Sequence, residues 1–159
     1  MLMQLCEELM SVTPELEFIY DPLMPEKQKG FIDGNIVYLN PNQSYYELPG
    51  TIGEEIAHHL TTVGDISKQE TLSDKKQERL ARNIGAVFVV SPYDIIKCYE
   101  NGCKTIAESA NFLQITVETL KTAIEYYAKK FNGIKTENNY TLLFQPDGTV
   151  AVLKSFNNI

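Results

Sequence analysis

The spacing of apolar side chains near the start of the chain predicts a short helix followed by a small sheet. Residues 2–12 have a helical pattern, with apolar positions at Leu2, Leu5, Leu9 and Val12. Residues 16–20, 30–32 and 35–39 are short runs typical of strands. Asp33-Gly34 between the last two is a strong hairpin signal, because both central residues of a type I′ turn need positive φ. The N-terminal third is therefore predicted to be a small antiparallel sheet.

Helical spacing returns after Pro49, a residue suited to a first helical turn. One face of this helix is predicted to carry Ile52, Ile56, His59, Leu60 and Val63, and Gly64 is expected to end it. A polar loop over residues 65–74 leads to a third helix with an apolar stripe of Leu80, Ile84, Val87 and Phe88. That helix is expected to end before Ser91-Pro92, because proline disfavours helical backbone at the preceding residue.

The remainder of the chain is predicted to be a helical segment followed by a hairpin. Residues 93–131 have the pattern of two or three short helices, with helix starts at Thr105 and Thr116. Residues 140–144 and 149–153 flank a Pro-Asp-Gly turn and form the predicted hairpin. The sequence therefore predicts an α+β fold in three consecutive parts, residues 1–92, 93–133 and 134–159.

Composition and charge exclude several classes of protein. The 159 residues are 43% hydrophobic, as in a globular protein with one core. The three cysteines, Cys6, Cys98 and Cys103, form no C-x-x-C pair, which argues against a cysteine zinc finger or a disulfide framework. A formal net charge of −7 disfavours direct binding to nucleic acid or to an anionic membrane. Without a long apolar run or a secretory signal, the chain is expected to be cytoplasmic, with no membrane association.

The main chemical signal is a pair of adjacent histidines on the second predicted helix. His58 and His59 are the only histidines in the chain, and Glu54 lies one helical turn before His58. Residues four apart share a helix face, so Glu54 and His58 can point at one ion while Glu55 lies beside them. This is the spacing of the zinc-peptidase motif H-E-x-x-H, with glutamate in place of the first histidine.

A third ligand for such an ion would come from another helix. Glu78 stands about twenty residues further on, at the start of the third predicted helix, with the small residue Ala81 three positions later. The alternative for Glu78 is an ordinary exposed ion pair with Arg82, four residues away on the same helix.

In this order of motifs the chain resembles the ImmA/IrrE family of metallopeptidases. The resemblance runs through the hairpin at 30–40, the E-E-I-A-H-H segment and the stretch from Glu78 to Pro92, and covers about two-thirds of the chain. It implies a zincin-like fold of the gluzincin type, in which residues 1–92 form the metallopeptidase core. It also implies that Glu55 is the general base and that His58 and Glu78 are metal ligands. Glu54 stands where the family has its first histidine, a form that phage-type members often show.

The glutamate at position 54 has a chemical consequence. A ligand set of Glu54, His58 and Glu78 brings two negative charges to a divalent ion where the parent motif brings one, so we expect a weaker hydrolase. Oxygen ligands also relax the preference for Zn²⁺ and admit Mn²⁺ or Fe²⁺. Two readings of His59 stay open: it replaces Glu54 as a ligand, or it is a hydrogen-bonded core histidine.

The resemblance implies a function in a prophage or other mobile element. The expected activity is metal-dependent cleavage or inactivation of a helix-turn-helix repressor, with the substrate lying as an added strand along the 31–39 hairpin edge. The alternative is a non-catalytic pseudo-peptidase that acts as an antirepressor by binding its partner. Residues 105–120 have a helix-turn-helix rhythm, but residues 94–131 carry five acidic and five basic side chains, so a packing or protein-docking role is favoured over DNA binding.

Overall fold

The fold combines six helices with two small sheets, in a computed structural model that describes residues 2–62, 71–136 and 138–156. The helices of the described residues are α1 Leu2–Ser11, α2 Leu48–Thr62, α3 Thr71–Val89, α4 Pro92–Glu100, α5 Ile106–Leu113 and α6 Val117–Lys130. The strands are β1 Glu17–Tyr20, β2 Gly30–Asp33, β3 Ile36–Leu39, β4 Gly133–Lys135, β5 Tyr140–Phe144 and β6 Val150–Lys154. The predicted α+β class is confirmed.

The first sheet is mixed, so the prediction of an antiparallel N-terminal sheet is wrong for its first strand. The strand order is β1-β3-β2, with β2 antiparallel to β3 and β1 parallel to β3. Residues 21–29 carry the chain from one edge of the sheet past β3 to the other edge, which makes β1 and β3 run the same way. In the β2–β3 turn, Gly34 has φ 61° and neither Asp33 nor Asn35 has positive φ, as in a type II′ turn rather than the expected type I′.

The helices α2 and α3 approach most closely at Gly53 and Gly85, and the exposure of two leucines on these helices corrects the predicted apolar stripes. Ala57 and Ala81 are fully buried, whereas Leu60 and Leu80 are 46% and 44% exposed. Val12, predicted on the buried face of α1, is also exposed. Side-chain size therefore does not decide which residues of these helices are buried, since the two alanines are inside and the two leucines are turned towards solvent.

Two predicted helix ends are affected by the boundaries of the described chain. The third predicted helix begins at Thr71 in the structure, so residues 71–74 belong to α3 and not to the predicted loop. Val63 and Gly64, predicted to close the second helix, lie outside the described residues.

The helical segment after residue 92 begins each of its helices with a side-chain cap. Ser91 and Asp94 form a reciprocal capping box at α4, and Thr105 and Thr116 accept hydrogen bonds from backbone amides at the starts of α5 and α6. The two threonine positions confirm the predicted helix starts. Three helices form here, the larger of the two numbers expected.

The C-terminal sheet has one strand more than the predicted hairpin. β4 pairs with β5, and β5 pairs with β6, all antiparallel. At three residues, β4 is too short to leave a periodic signal in the sequence.

One hydrophobic core runs through all three parts of the chain. It joins Leu39 and Ile56 to Ile96 and Leu120 in the helical segment and to Leu142 in the second sheet. The buried hydroxyl of Tyr127 on α6 donates a 2.7 Å hydrogen bond to the carbonyl of Val90, at the end of α3. None of the helices in the described ranges is long and apolar enough to cross a membrane.

Candidate metal centre

The centre is built where α2 crosses α3 at a pair of glycines. A Cβ atom on Gly53 would lie 2.5 Å from the carbonyl oxygen of Gly85, and a Cβ on Gly85 would lie 2.6 Å from the backbone nitrogen of Glu54. Both distances are shorter than any normal carbon contact, so the two backbones approach as closely as glycine allows. This contact holds the start of the E-E-x-x-H segment directly against α3.

Three of the predicted site residues meet beside this crossing. Glu54, His58 and Glu78 each offer one ligand atom, and these atoms all lie within 4.8 Å of one another. The Nε2 atom of His58 is 3.4 Å from Oε2 of Glu78. The His58 side chain is only 16% exposed, whereas Glu78 is 59% exposed and covers the cluster from the solvent side.

Glu55 lies under the first sheet, on the side of α2 that faces β2. It is a buried residue, and a Cβ on Gly30 would lie 3.1 Å from its Oε1 and 2.8 Å from Cγ2 of Thr51. The absence of a side chain at Gly30 therefore provides the space for the Glu55 carboxyl. Burial, reinforced by the negative charges of Glu54 and Glu78, raises the pKa of Glu55 to about 7.

Glu54 has a more balanced electrostatic environment than Glu55. Burial raises its pKa, and the positive charges of Arg82 and His58 oppose that rise. Arg82, one turn after Glu78 on α3, therefore acts electrostatically on Glu54. Glu78, for which an ion pair with Arg82 was the alternative, contacts His58 across the helix interface.

His59 points away from the cluster that contains its neighbour. Its Nε2 is 3.1 Å from Oε1 of Glu15, in the segment between α1 and β1, and its side chain is 11% exposed. His59 is not part of the ligand cluster formed by Glu54, His58 and Glu78. This geometry fits the reading of His59 as a hydrogen-bonded core histidine.

A groove of about 670 Å³ opens onto the cluster between β2 and the two helices. Its walls combine the site carboxylates with the edge strand β2 and three basic side chains. The lining residues are Lys27, Gln28, Lys29, Gly30, Phe31, Ile32, Thr51, Glu54, Glu55, His58, Glu78 and Arg82.

The three candidate ligand atoms are compatible with a divalent ion. Two ligands about 2.1 Å from a tetrahedral ion stand about 3.4 Å apart, which is the separation of the His58 and Glu78 atoms. One imidazole and two carboxylates suit zinc, manganese or iron, and three protein ligands leave a coordination position open. The same distance also suits a direct ion pair when His58 is protonated.

Sequence reasoning named the chemical groups of the site but missed the residues that position them. Gly53 and Gly85 were absent from it because a glycine that permits a helix crossing has no periodic signal. Gly30 was part of a recognised motif, but its packing against Glu55 depends on the tertiary fold. Glu15 lies 44 residues from His59 in sequence, and nothing local links them.

Comparisons with known proteins add information on the fold. No protein-family model matches the chain, and no curated protein does. Among solved structures, the chain is similar to a Mycobacterium tuberculosis transcriptional regulator, with a TM-score of 0.58 and 14% sequence identity. The match covers 76% of this chain and 40% of that chain, so this chain spans less than half the length of the regulator. At this identity the likeness shows a shared fold.

Proposed function

We propose that this protein is a metal-dependent endopeptidase of the ImmA/IrrE type, carried by a prophage or other mobile element, and that it cleaves a helix-turn-helix repressor. The observation that carries the proposal is the convergence of Glu54, His58 and Glu78 within 4.8 Å, beside the buried Glu55. These four residues are the ones to which the resemblance assigns ligand and base roles. Neither the amino-acid composition nor an α+β fold by itself requires these four side chains to lie close together.

Glu54, His58 and Glu78 would hold the ion, with Zn²⁺, Mn²⁺ or Fe²⁺ as candidates. When bound, such an ion supplies a Lewis acid that polarises a peptide carbonyl and acidifies water. Glu55 would accept the proton of the attacking water on its carboxylate and deliver it to the nitrogen of the leaving amine. Burial raises the pKa of this carboxyl, which favours its holding the proton between the two steps.

The edge strand β2 offers a way to orient the substrate. Its partner in the sheet is β3, so its other edge is open to an added strand along the groove. Of the residues 31–39 along which the substrate was expected to pair, only those of β2 lie at an edge of the sheet, because β3 is the central strand. A peptide paired with β2 would pass beside the site residues of α2.

A second candidate function is that of a pseudo-peptidase antirepressor, which binds its partner without cutting it. The specific observation in its favour is Glu54, whose partly buried carboxylate occupies the position of the usual first histidine. The protein also has a net charge of −7, and a negatively charged protein attracts a basic repressor.

The first test is the metal content of the purified protein after reconstitution with zinc or manganese. We expect one equivalent in the wild type and a clear loss in both His58→Ala and Glu78→Ala. His59→Ala is the matched control, since it removes the neighbouring imidazole but leaves the cluster intact. Wild-type protein that holds no divalent metal under any of these conditions would exclude the peptidase function.

The second test separates the two candidates with a purified helix-turn-helix repressor as the partner. Cleavage that chelation abolishes and that is lost in Glu55→Gln supports the endopeptidase. Release of an uncut repressor from its operator, unaffected by chelation, supports the antirepressor. Tight, salt-dependent binding of duplex DNA by this protein alone would contradict both.

A further inference from the structure

The groove beside the candidate metal centre is lined by three basic side chains as well as by the three carboxyl groups of Glu54, Glu55 and Glu78. Lys27, Lys29 and Arg82 all line it, although the whole protein carries only 14 basic residues against 21 acidic ones. Lys27 and Lys29 stand immediately before β2, at the end of the strand edge that is open to an added peptide. The two lysines thus stand beside β2, whereas the three carboxyl groups of the groove belong to α2 and α3.

The three bases of the groove are not equivalent. The Nζ atom of Lys29 lies 3.1 Å from Oε2 of Glu47, and this contact holds the pKa of Glu47 below its usual range. Arg82 makes no ion pair among the described residues, but its positive charge acts on Glu54 within the cluster. Lys27, an exposed residue, makes no ion pair with any acidic side chain among the described residues. Lys27 is therefore the base that remains for a ligand.

The same wall of the groove carries an exposed aromatic surface. Phe31 is 48% exposed on the edge strand, and its ring stacks on Tyr38 of β3 at 6.3 Å between centroids. That stacking fixes the orientation of the Phe31 ring and leaves one face open to solvent. On the opposite face of β2, Gly30 and Ile32 are partly buried, with Ile32 packed against the hydrophobic core and Gly30 against Thr51 and Glu55. A bound strand would therefore meet an aromatic side chain on one face of the sheet and small or aliphatic ones on the other.

We propose that this groove selects an extended peptide segment in which an acidic side chain lies close to an aromatic or large aliphatic one, with Lys27 and Phe31 as the specificity-determining residues. The proposal rests on the proposed function, because it names the class of segment that enters that site. Charge complementarity with Lys27 accounts for the preference for an acidic side chain. Burial of apolar surface against the Phe31 ring accounts for the preference for an aromatic or large aliphatic one.

The proposal also identifies which part of a repressor would be bound. A helix that reads DNA is basic, and its charges would be repelled by Lys27, Lys29 and Arg82. An extended acidic segment matches the part of the groove beside Lys27. The recognised segment therefore lies outside the DNA-reading helix of the partner.

The test measures the binding of short fluorescent peptides to the full-length protein by anisotropy, first in chelator and then with zinc in the Glu55→Gln variant. Each peptide carries a central Phe, and a single Glu or Lys is placed in turn at each neighbouring position. We expect the best Glu peptide to bind roughly two- to fivefold more tightly than its Lys counterpart, as for an exposed ion pair. Lys27→Glu should reverse this preference.

The control for the change in net charge is Lys135→Glu in β4, a strand that contributes no residue to the groove. It should leave the preference between the Glu and Lys peptides unchanged. Phe31→Ala should reduce the binding of Phe peptides to that of peptides with Ala at the centre, without altering the charge preference. Equal binding of the Glu and Lys peptides, or binding of neither, overturns the proposal, as does an unchanged preference in Lys27→Glu.

This readout distinguishes failure of the inference from failure of the proposed function. If the protein binds no metal but still discriminates between the peptides, the proposed specificity stands and the proposed peptidase function is wrong. If the protein binds metal and cuts a repressor but shows no charge preference, the proposed function stands and the role proposed for Lys27 is wrong.

Discussion

Gly53 and Gly85 face each other at the crossing of α2 and α3, so closely that neither position has room for a methyl group. In an ordinary helix, replacing glycine by alanine is stabilising by about 0.5 to 1 kcal/mol. Here the new carbon would meet backbone atoms, which cannot rotate away. At this crossing, replacing glycine by alanine is therefore destabilising instead of stabilising.

Gly85→Ala is expected to lower the free energy of unfolding by about 2 kcal/mol, in the range of overpacked helix contacts. It should also weaken metal binding, because α3 carries Glu78 and α2 carries the other two ligands. The control is Gly50→Ala in α2, where the nearest atom is the rotatable hydroxyl of Thr119 at 2.8 Å. Urea denaturation of both variants measures the difference, and equal stabilities would contradict the assigned role of the crossing.

Gly30→Ala is expected to reduce hydrolysis more than metal binding. The added carbon would displace the Glu55 carboxyl and contact Cγ2 of Thr51, whereas the ligand cluster lies elsewhere on α2 and α3. Adding Thr51→Ser removes that Cγ2 atom but keeps the hydroxyl that donates to Gln43. The double variant should therefore recover part of the lost activity, and metal content should stay constant throughout. An equal loss of metal and activity in Gly30→Ala would argue against this separation.

Glu55→Gln is expected to stabilise the metal-free protein at alkaline pH and not at acid pH. Because burial raises the pKa of Glu55 to about 7, the folded state favours the neutral carboxyl. This contribution to stability is complete below the ordinary pKa of a glutamate and is lost as the pH rises through 7. Glutamine stays neutral, so at pH 8 the variant should exceed the wild type by up to about 3 kcal/mol.

The measurement for Glu55 is urea denaturation in chelator at pH 5 and pH 8. Glu47→Gln serves as the control, because the pKa of Glu47 is lowered by Lys29 and its removal should be mildly destabilising at neutral pH. If the stability difference between Glu55→Gln and wild type does not change with pH, burial does not disfavour the charged form of Glu55.

Glu54→His is expected to shift the metal preference of the protein towards zinc. The substitution replaces a carboxylate by an imidazole and reduces the negative charge of the ligand set by one. Competition between zinc and manganese for the wild type and the variant measures the shift. Glu54→Gln, which removes the charge without supplying an imidazole, separates the two effects. An unchanged preference in Glu54→His would mean that residue 54 does not contact the ion.

The sequence was most informative where local signals act alone. The caps at Thr105 and Thr116 were predicted because threonine side chains capture nearby backbone amides whatever the rest of the fold. The meeting of Glu54 with His58 followed from helix geometry, as residues four apart share a face. Helix contacts were harder to predict: Leu60 and Leu80 were assigned to apolar stripes by their helical spacing, yet both are exposed.

The remaining errors involve relationships between distant segments. The parallel pairing of β1 with β3 depends on the path of residues 21–29, and a strand pattern carries no information about direction. The pairing of His59 with Glu15 likewise requires the first sheet to bring the α1–β1 segment against α2. The sequence thus indicated which residues gather at the candidate metal centre, and the tertiary fold determines their partners.

The shared core has a consequence for how this protein can change over generations. Its three parts look separable in sequence, yet Tyr127 is anchored to Val90 and the core passes through both predicted boundaries without a break. Recombination that joined residues 1–92 to the helical segment of a distant relative would mismatch this interior. We therefore expect new surface properties to arise by substitution of exposed residues, because an exchange of whole parts would disrupt the shared interior.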